Sequence, residues 1–506
     1  MILSRFTLKN IAPEKVALPQ DELFELPEKV LQFGTGVLLR GLPDYFIDKA
    51  NRQGIFNGRV VVVKSTAQGD TTAFKKQDGL YTICIRGVDN GNTVEENSIN
   101  SSISRVLSAG EEWEKVLECA HNREMQIIIS NTTEVGIQLV PDDVRHHPPK
   151  SFPGKVLAFL YERFRAFGGS AHSGMVIVPT ELIPDNGKKL ESIVLELAHL
   201  NSLEDEFIEW LEKHNRFCNS LVDRIVPGKP DTATLQKLEE ELGYADSLLT
   251  MSEVYSLWAI EGDEAVRDVL SFADADAGVI IQPNIDIYRE LKLRLLNGTH
   301  TLSCGVAFLS GCQTVKQAMD DETIAAFISG LMQWEIAPAI PFEVDLKTAQ
   351  DFGNRVLDRF RNPHIKHQWL SITMNYSSKM KMRCIPVLLH HYETKGSVPE
   401  LFSLGFAAYL LFMKSSLRRG DAFYGELHGE SYQVQDEAAA LFYKRWAGLS
   451  TASLVQEVLS DTAFWGVDLS SLPGFKQAVT DNLNLIVNNG MKEAIENKLS
   501  KKVVAA

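Results

Sequence analysis

The segment Val30-Leu31-Gln32-Phe33-Gly34-Thr35-Gly36-Val37-Leu38-Leu39-Arg40-Gly41 constrains this chain more than any other stretch. An apolar, strand-forming run meets a Gly-x-Gly turn and then a helix-forming run. Gly34 permits a tight turn, Gly36 lets backbone approach a phosphate, and the helix after it aims unpaired N–H groups at an anion. Such a turn suits a strand that hands over to a crossover helix, and so argues for an α/β fold. The same pattern also serves any strand-to-helix turn, and Leu39 stands where the third glycine of the full dinucleotide pattern would be. Arg40, about one turn into the helix, either reaches a phosphate or lies on an exposed face.

The rest of the chain extends this reading. Residues 29–33, 60–63, 126–129 and 175–178 are short runs rich in Val and Ile, with helix-like stretches such as 111–120 and 155–167 between several of them. That alternation predicts a parallel sheet with helical crossovers. Past about residue 290 the periodicity becomes helical, over 306–330, 346–360, 401–413 and 436–446, and strand signals thin out. The fold class is therefore α/β, a Rossmann-type N-terminal domain over 1–284 followed by a mainly α-helical C-terminal domain over 285–506.

Charge and cysteine usage narrow the partners. A net charge of −15 argues against nucleic acid or an anionic membrane, so an anionic ligand needs a local group of basic side chains. Six scattered cysteines without metal spacing read as reduced thiols. The first residues lack a signal-peptide core, and no apolar run nears the roughly 20 residues of a membrane span. A cytoplasmic enzyme with a small-molecule substrate, monomeric or a small homo-oligomer, is the expectation.

The other strand ends add candidate cofactor contacts. Lys64-Ser65-Thr66 follows the second run without the acidic residue that holds a ribose 2′-hydroxyl, which leaves NAD against NADP open and leans slightly to tolerance of a 2′-phosphate. The loop Ser130-Asn131-Thr132-Thr133-Glu134 follows the third run and belongs at the sheet edge where ligands bind. Phe33, Gly34, Thr35, Gly36, Arg40, Ser65, Asn131, Thr132 and Thr133 form the cofactor set.

Chemistry is carried by Leu291-Lys292-Leu293-Arg294-Leu295-Leu296-Asn297-Gly298-Thr299-His300. On an α-helix at about 100° per residue, Lys292, His300 and Asn297 fall near roughly 0°, 80° and 140°. Leucines on both sides predict a buried helix, where Lys, Asn and His cost free energy unless paired or employed. A desolvated lysine exchanges a proton near neutrality, beside the oxygen of a ketone receiving hydride, while Asn297 and His300 hold that oxygen; no metal is needed. The other reading makes Lys292 a snorkelling side chain, His300 a satisfied core histidine and Asn297-Gly298 a helix stop.

With Lys292, Asn297 and His300 in the order Lys, four residues, Asn, two residues, His, the chain resembles the polyol-specific long-chain dehydrogenase/reductase family. The likeness, strongest to members acting on hexuronates, runs through LQFGTGVLLRG (31–41), QDGLYT (77–82), SNTTEVGI (130–137), FCNSLVDRIVPG (217–228), YRELKLRLLNGTHT (288–301), RFRNPHIKHQ (359–368) and YQVQD (432–436). It implies NAD, lysine acid/base catalysis without metal, and interconversion of D-tagaturonate and D-altronate; D-fructuronate/D-mannonate or mannitol-type chemistry is the alternative. A non-catalytic dinucleotide-binding protein is the reading from another class. Thr35, Val37 and Gly41 replace Glu, Asn and Ala of the hexuronate-acting members. Thr180-Glu181-Leu182 replaces a Cys-Asp-Asn segment of mannitol-acting members, and Leu182 lacks the asparagine amide. Asp223 and Lys379 match family positions near the sugar. Lys379 and Arg383, one helical turn apart, are suited to grip a carboxylate together, with Lys381 read as solvated. His364 and His367 have a spacing that could seat a metal, but no Cys or acidic partner stands beside them in the sequence.

Overall fold

The computed structural model describes residues 1–66, 69–132 and 135–505, with side chains through residue 500. It divides into a first unit, Met1–Arg86 with Thr93–Ile285, and a second, Gly87–Asn92 with Asp286–Ala506.

The first unit is organised by six parallel strands: β1 (Glu28–Phe33), β2 (Arg59–Lys64), β3 (Ile103–Ser108), β4 (Ile127–Ser130), β5 (Val176–Pro179) and β6 (Arg216–Phe217). Their order in the sheet is β3-β2-β1-β4-β5-β6, the dinucleotide-binding arrangement, with the order reversing between β1 and β4. Side chains alternate faces along each strand. Leu31, Phe33, Val61, Val63, Ile128 and Ile177 join one core with helices Phe152–Phe167 and Asn186–Leu200. Val30, Val60, Val62, Ile127, Ile129, Val176 and Val178 join another with helix Pro43–Arg52. Burial on both faces is why these strands read as unbroken apolar runs rather than alternating ones. Helix Phe152–Phe167 begins where the Ser151 hydroxyl accepts from Gly154 N at 3.0 Å, and ends at Gly168, φ 57°.

Two smaller sheets mix apolar strands with polar ones. One orders Val279–Gln282, Leu257–Glu261 and Ser220–Asp223; the other orders Thr250–Glu253, Tyr81–Asp89 and Asn92–Asn100. Thr250-Met251-Ser252-Glu253 offers one apolar side chain in four, too few for a period to show.

A buried acid sits beneath the glycine turn. Asp44, fully buried on helix Pro43–Arg52, accepts a 3.2 Å hydrogen bond from Gln32 Nε2. Asp44 Oδ1 and Gln32 Oε1 are both buried without partners among the described residues. Burial raises the carboxyl's pKa to about 7, against the opposing pull of the Gln32 hydrogen bond and Arg40.

In the second unit, helix Glu400–Phe412 is buried nearly all round. Its N–H groups at Leu401 and Phe402 donate to the buried Glu335 carboxylate at 3.1 and 2.7 Å, supplying the cap that Pro399 lacks. A Cβ on Gly405 would stand 2.8 Å from the Leu302 carbonyl oxygen, so glycine is what lets helix Thr299–Leu309 come this close. The stretch expected to be helical over 306–330 is interrupted, because Gly311 adopts φ 89° and Thr314 opens a new helix with a reciprocal Thr314/Gln317 cap. A three-stranded antiparallel sheet, Leu417–Arg419, Ala422–Leu427 and Glu430–Gln433, is an addition to the helical expectation. Three stretches are π-helical: Lys292–Gly298, Leu331–Ile336 and Met380–Cys384.

Candidate active site

At the edge of the large sheet, the β1 turn is shaped from behind. Gly34 has φ 131°, and a Cβ there would lie 2.7 Å from Leu39 Cδ1 and 3.0 Å from the Asn131 carbonyl oxygen. Leu39 fills the space against the first glycine, while Gly41 makes the close approach to Val226, where a Cβ would meet Cγ1 at 2.6 Å. A Cβ on Gly36 would meet nothing within 4 Å, and Gly36 caps the following helix without a side chain. Open space before a helix start suits a pyrophosphate. Phe33 turns its ring into the core, 5.4 Å from Phe152, so only its backbone borders the turn. Arg40 is buried; Nη1 donates to Thr35 O at 2.8 Å and Nε to Thr250 Oγ1 at 3.1 Å, so the guanidinium clamps the turn from inside.

Beyond β2, Ser65 Oγ is buried without a partner among the described residues, a polar atom suited to a ligand hydroxyl. Lys64 Nζ turns back to Thr66 O at 2.6 Å, which weakens any case for a 2′-phosphate. Beyond β4, Asn131 Nδ2 donates to Thr180 O and Oγ1 at 3.1 and 3.0 Å. Glu181, buried after β5, accepts from Thr132 N at 2.7 Å, Thr132 Oγ1 at 2.9 Å and Ser130 Oγ at 3.1 Å. Glu181 is thus a latch that holds the β4 loop. Thr133 lies outside the described residues. Asp223 ends its strand, buried, opposite Leu257, and Leu182 is exposed.

In the second unit, Lys292, Asn297 and His300 lie on one continuous helix that the Asn297-Gly298 pair does not stop. The π-turn changes their relation. Stacking i over i+5 rather than i+4 brings Asn297 round to Lys292, and His300, three residues further along α-helix, returns to the same side. Lys292 and Asn297 are half-buried, and His300 is buried. Thr301 Oγ1 donates to Asn297 O at 2.7 Å, answering a backbone acceptor in the widened turn.

The π-turn at Met380–Cys384 has a legible cause. Pro386 has no N–H to give the Met382 carbonyl four residues back. Arg294, reaching across from the first π-turn, donates to Met382 O and Arg383 O at 2.8 and 3.0 Å while Nε holds Glu290 at 2.9 Å. One buried guanidinium therefore joins the two irregular segments.

Beside this brace lie the basic side chains. Lys379 donates to Ile372 O at 3.0 Å and Arg383 to Thr301 Oγ1 at 3.3 Å; both are half-buried, and neither forms an ion pair with a described residue. Burial and then mutual repulsion from Arg383 lower the pKa of Lys379; burial lowers that of Arg383. Lys381 is exposed. The His300 ring stacks on Phe360, centroids 4.2 Å apart and planes at 11°, and Nε2 is buried without a partner among the described residues. Burial first, then His367, Arg359, Arg383 and Lys379, hold its pKa well below the ordinary value, so the ring is neutral. His367 is half-buried and His364 exposed, and no three His, Cys, Asp or Glu side chains among the described residues group to hold a metal.

Two family models match in series: the mannitol dehydrogenase Rossmann domain over residues 28–272 and the mannitol dehydrogenase C-terminal domain over 284–487. The chain belongs to the mannitol dehydrogenase family. Among curated members of similar sequence, the altronate oxidoreductase of Bacillus subtilis is 39% identical over 481 residues, covering 94% of this chain and 96% of that protein. That of Halalkalibacterium halodurans is 38% identical over 487 residues, covering 94% of each. Solved structures share the fold: Pseudomonas fluorescens mannitol 2-dehydrogenase in a ternary complex with NAD and D-mannitol (24% identity, TM-score 0.65, 99% of this chain and 100% of that one) and a D-sorbitol dehydrogenase in substrate-free form (20%, 0.75, 98% and 100%). Among the described residues of this family member, no helix is long and apolar enough to cross a membrane.

The residues that reading for polar chemistry passed over are Arg294, Glu181 and Phe360, each acting on another residue. Pro386, four residues after Met382, was the available signal for Arg294.

Proposed function

We propose that this mannitol dehydrogenase family member is an NAD-dependent hexuronate reductase, converting D-tagaturonate to D-altronate and running in reverse as an altronate oxidoreductase, the name its curated relatives carry. The observation that carries the substrate class is the pair Lys379 and Arg383: two half-buried cations without ion-pair partners among the described residues, beside a neutral imidazole, in a chain of net charge −15. A sugar carboxylate answers that charge, and a plain polyol does not.

The residue set fits a dinucleotide: Gly36 and the backbone of Phe33–Thr35 border the pyrophosphate, Ser65 meets the ribose, and Asn131 and Thr132 close the β4 side, shaped by Arg40 and Glu181. Bound NADH supplies hydride to the carbonyl carbon. Lys292 gives its proton to the carbonyl oxygen as that oxygen gains charge, and takes the proton back in the oxidation. Asn297 donates an amide hydrogen bond to the same oxygen; its side chain has no hydrogen-bond partner among the described residues. His300, held neutral, donates a hydrogen bond without competing as the acid, which leaves proton transfer to Lys292. Asp223 takes a substrate hydroxyl.

The test is oxidation of NADH and NADPH with D-tagaturonate, D-fructuronate and fructose in parallel, with and without EDTA. Turnover of NADH on tagaturonate, indifferent to EDTA and reduced at least about 100-fold in Lys292→Ala, is expected. Preference for fructose, or full activity without Lys292, would overturn the proposal.

A further inference from the structure

Catalytic histidines are commonly oriented by a hydrogen bond from one ring nitrogen to a carboxylate or carbonyl, which selects the tautomer and raises the basicity of the ring. His300 has no such bond: neither ring nitrogen hydrogen-bonds to a described residue, although the side chain is buried. Its plane is set by rings. Phe360 lies parallel at 4.2 Å and 11°; the His367 ring stands edge-on at 5.1 Å and 81°, and Trp369 at 5.8 Å and 84°.

Each member of this cage is itself fixed. Phe360 is the last residue of helix Leu346–Phe360, whose buried face includes Phe352, Val356 and Leu357. The segment carrying the other two is tied down by backbone bonds on either side, Val315 N to His367 O and Trp369 N to Gln313 O, both 2.9 Å. Trp369 Nε1 is buried without an acceptor among the described residues, so that indole contributes shape at the expense of a hydrogen bond.

We propose that Phe360, Trp369 and His367 are positioning residues for His300, a ring cage that fixes the imidazole plane and leaves both of its nitrogens for substrate oxygens. The inference rests on the reading of His300 as a hydrogen-bond donor to the substrate. A carboxylate in place of the cage would hold the ring protonated and make it a second acid beside Lys292. Here burial comes first, followed by His367 and the cations Arg359, Arg383 and Lys379, and each of these opposes protonation.

The experiment uses the full-length enzyme with Phe360→Leu and Phe360→Tyr, and follows the His300 ring by NMR with ring-labelled histidine, assigned by loss of its signal in His300→Asn. The leucine variant keeps bulk but not the flat face. It is expected to lose about 100-fold in kcat, with KM for the sugar acid and Kd for NADH within about threefold. Its His300 resonance should broaden and begin to titrate in the neutral range, and tyrosine should restore both readouts. A leucine variant with unchanged kcat and an unchanged His300 resonance would overturn the cage, as would leucine and tyrosine variants that lose activity only in proportion to folded protein measured by circular dichroism. The NMR readout needs no turnover. A wild type inactive on every hexuronate but with a His300 signal that responds to Phe360→Leu sinks the substrate reading and leaves the cage standing.

Discussion

Replacing Asp44 by asparagine should stabilise the first unit, and by an amount that depends on pH. The carboxyl is fully buried, and its pKa rises from the ordinary 3.8 to about 7. The unfolded chain releases this proton near pH 4, whereas the folded protein keeps it until about pH 7. Ionised Asp44 therefore costs nothing below pH 4, costs progressively more as pH rises through that window, and costs its full amount above it. A displacement of about three pH units at about 1.4 kcal/mol each makes that full cost about 4 kcal/mol; at pH 5 about 2 kcal/mol of it has developed. The asparagine carries no charge. Its carbonyl can accept from Gln32 Nε2 as the acid does, and its amide can donate to Gln32 Oε1, which now has no partner among the described residues. Asp44→Asn should thus stabilise by about 4 kcal/mol at pH 8 and about 2 kcal/mol at pH 5. The assay is urea unfolding by circular dichroism at both values, with hydrogen exchange of peptides spanning residues 28–64 to identify the transition of this unit, because a chain of two units need not unfold in one step. Equal stabilisation at both pH values would mean a packing effect and refute the electrostatic argument, and a loss at pH 8 would refute it outright.

The two glycines of the turn should separate fold from cofactor. Gly34→Ala forces a Cβ to 3.0 Å from backbone at φ 131° and should lower Tm, whereas Gly36→Ala meets nothing and should keep Tm while raising Kd for NADH at least about tenfold, by thermal melting and fluorescence titration. Arg294→Met strands the Met382 and Arg383 carbonyls and the Glu290 carboxylate. It should destabilise the second unit by about 3–5 kcal/mol and lower kcat; a wild-type melting profile would show that the brace is dispensable.

What could be read in advance follows from how directly a residue's surroundings are written beside it. Val60 to Val63 announce a doubly buried parallel strand because each side chain states its own environment, and the same holds for β1, β4 and β5. Lys292, Asn297 and His300 were singled out as a set by their resemblance to a family pattern, but their geometry was not visible. An α-helical wheel spreads Asn297 away from Lys292, and the π-turn that closes the gap is held by Arg294 and the carbonyl partners around residue 382, nearly ninety residues away. Asn297-Gly298 resembles a stop for the same reason, since nothing adjacent reveals what carries the helix onward. The pairing of Phe360 with His300 crosses about sixty positions and involves no polar atom on one side, so no pattern of reactive residues points to it. The side sheets were hidden where their strands are polar, since Asn92–Asn100 and Thr250–Glu253 carry few apolar side chains.

The π-turn at Lys292–Gly298 is, in terms of chain length, one residue more than an α-helix would need to cover the same rise. Its effect on the site is set by counting rather than by identity. Exchanging Leu293, Leu295 or Leu296 for another apolar residue leaves the count intact and the three polar side chains on one side. Deleting any one of them while the segment returns to ordinary winding leaves Lys292 four residues from Asn297 and seven from His300, about 40° and 20° away around an α-helix, so the three still share a side. What the cluster depends on is the pairing of one extra residue with one widened turn: straightening the turn with the residue kept would move Lys292 about 100° around the axis relative to His300, whereas losing both together would leave the set intact.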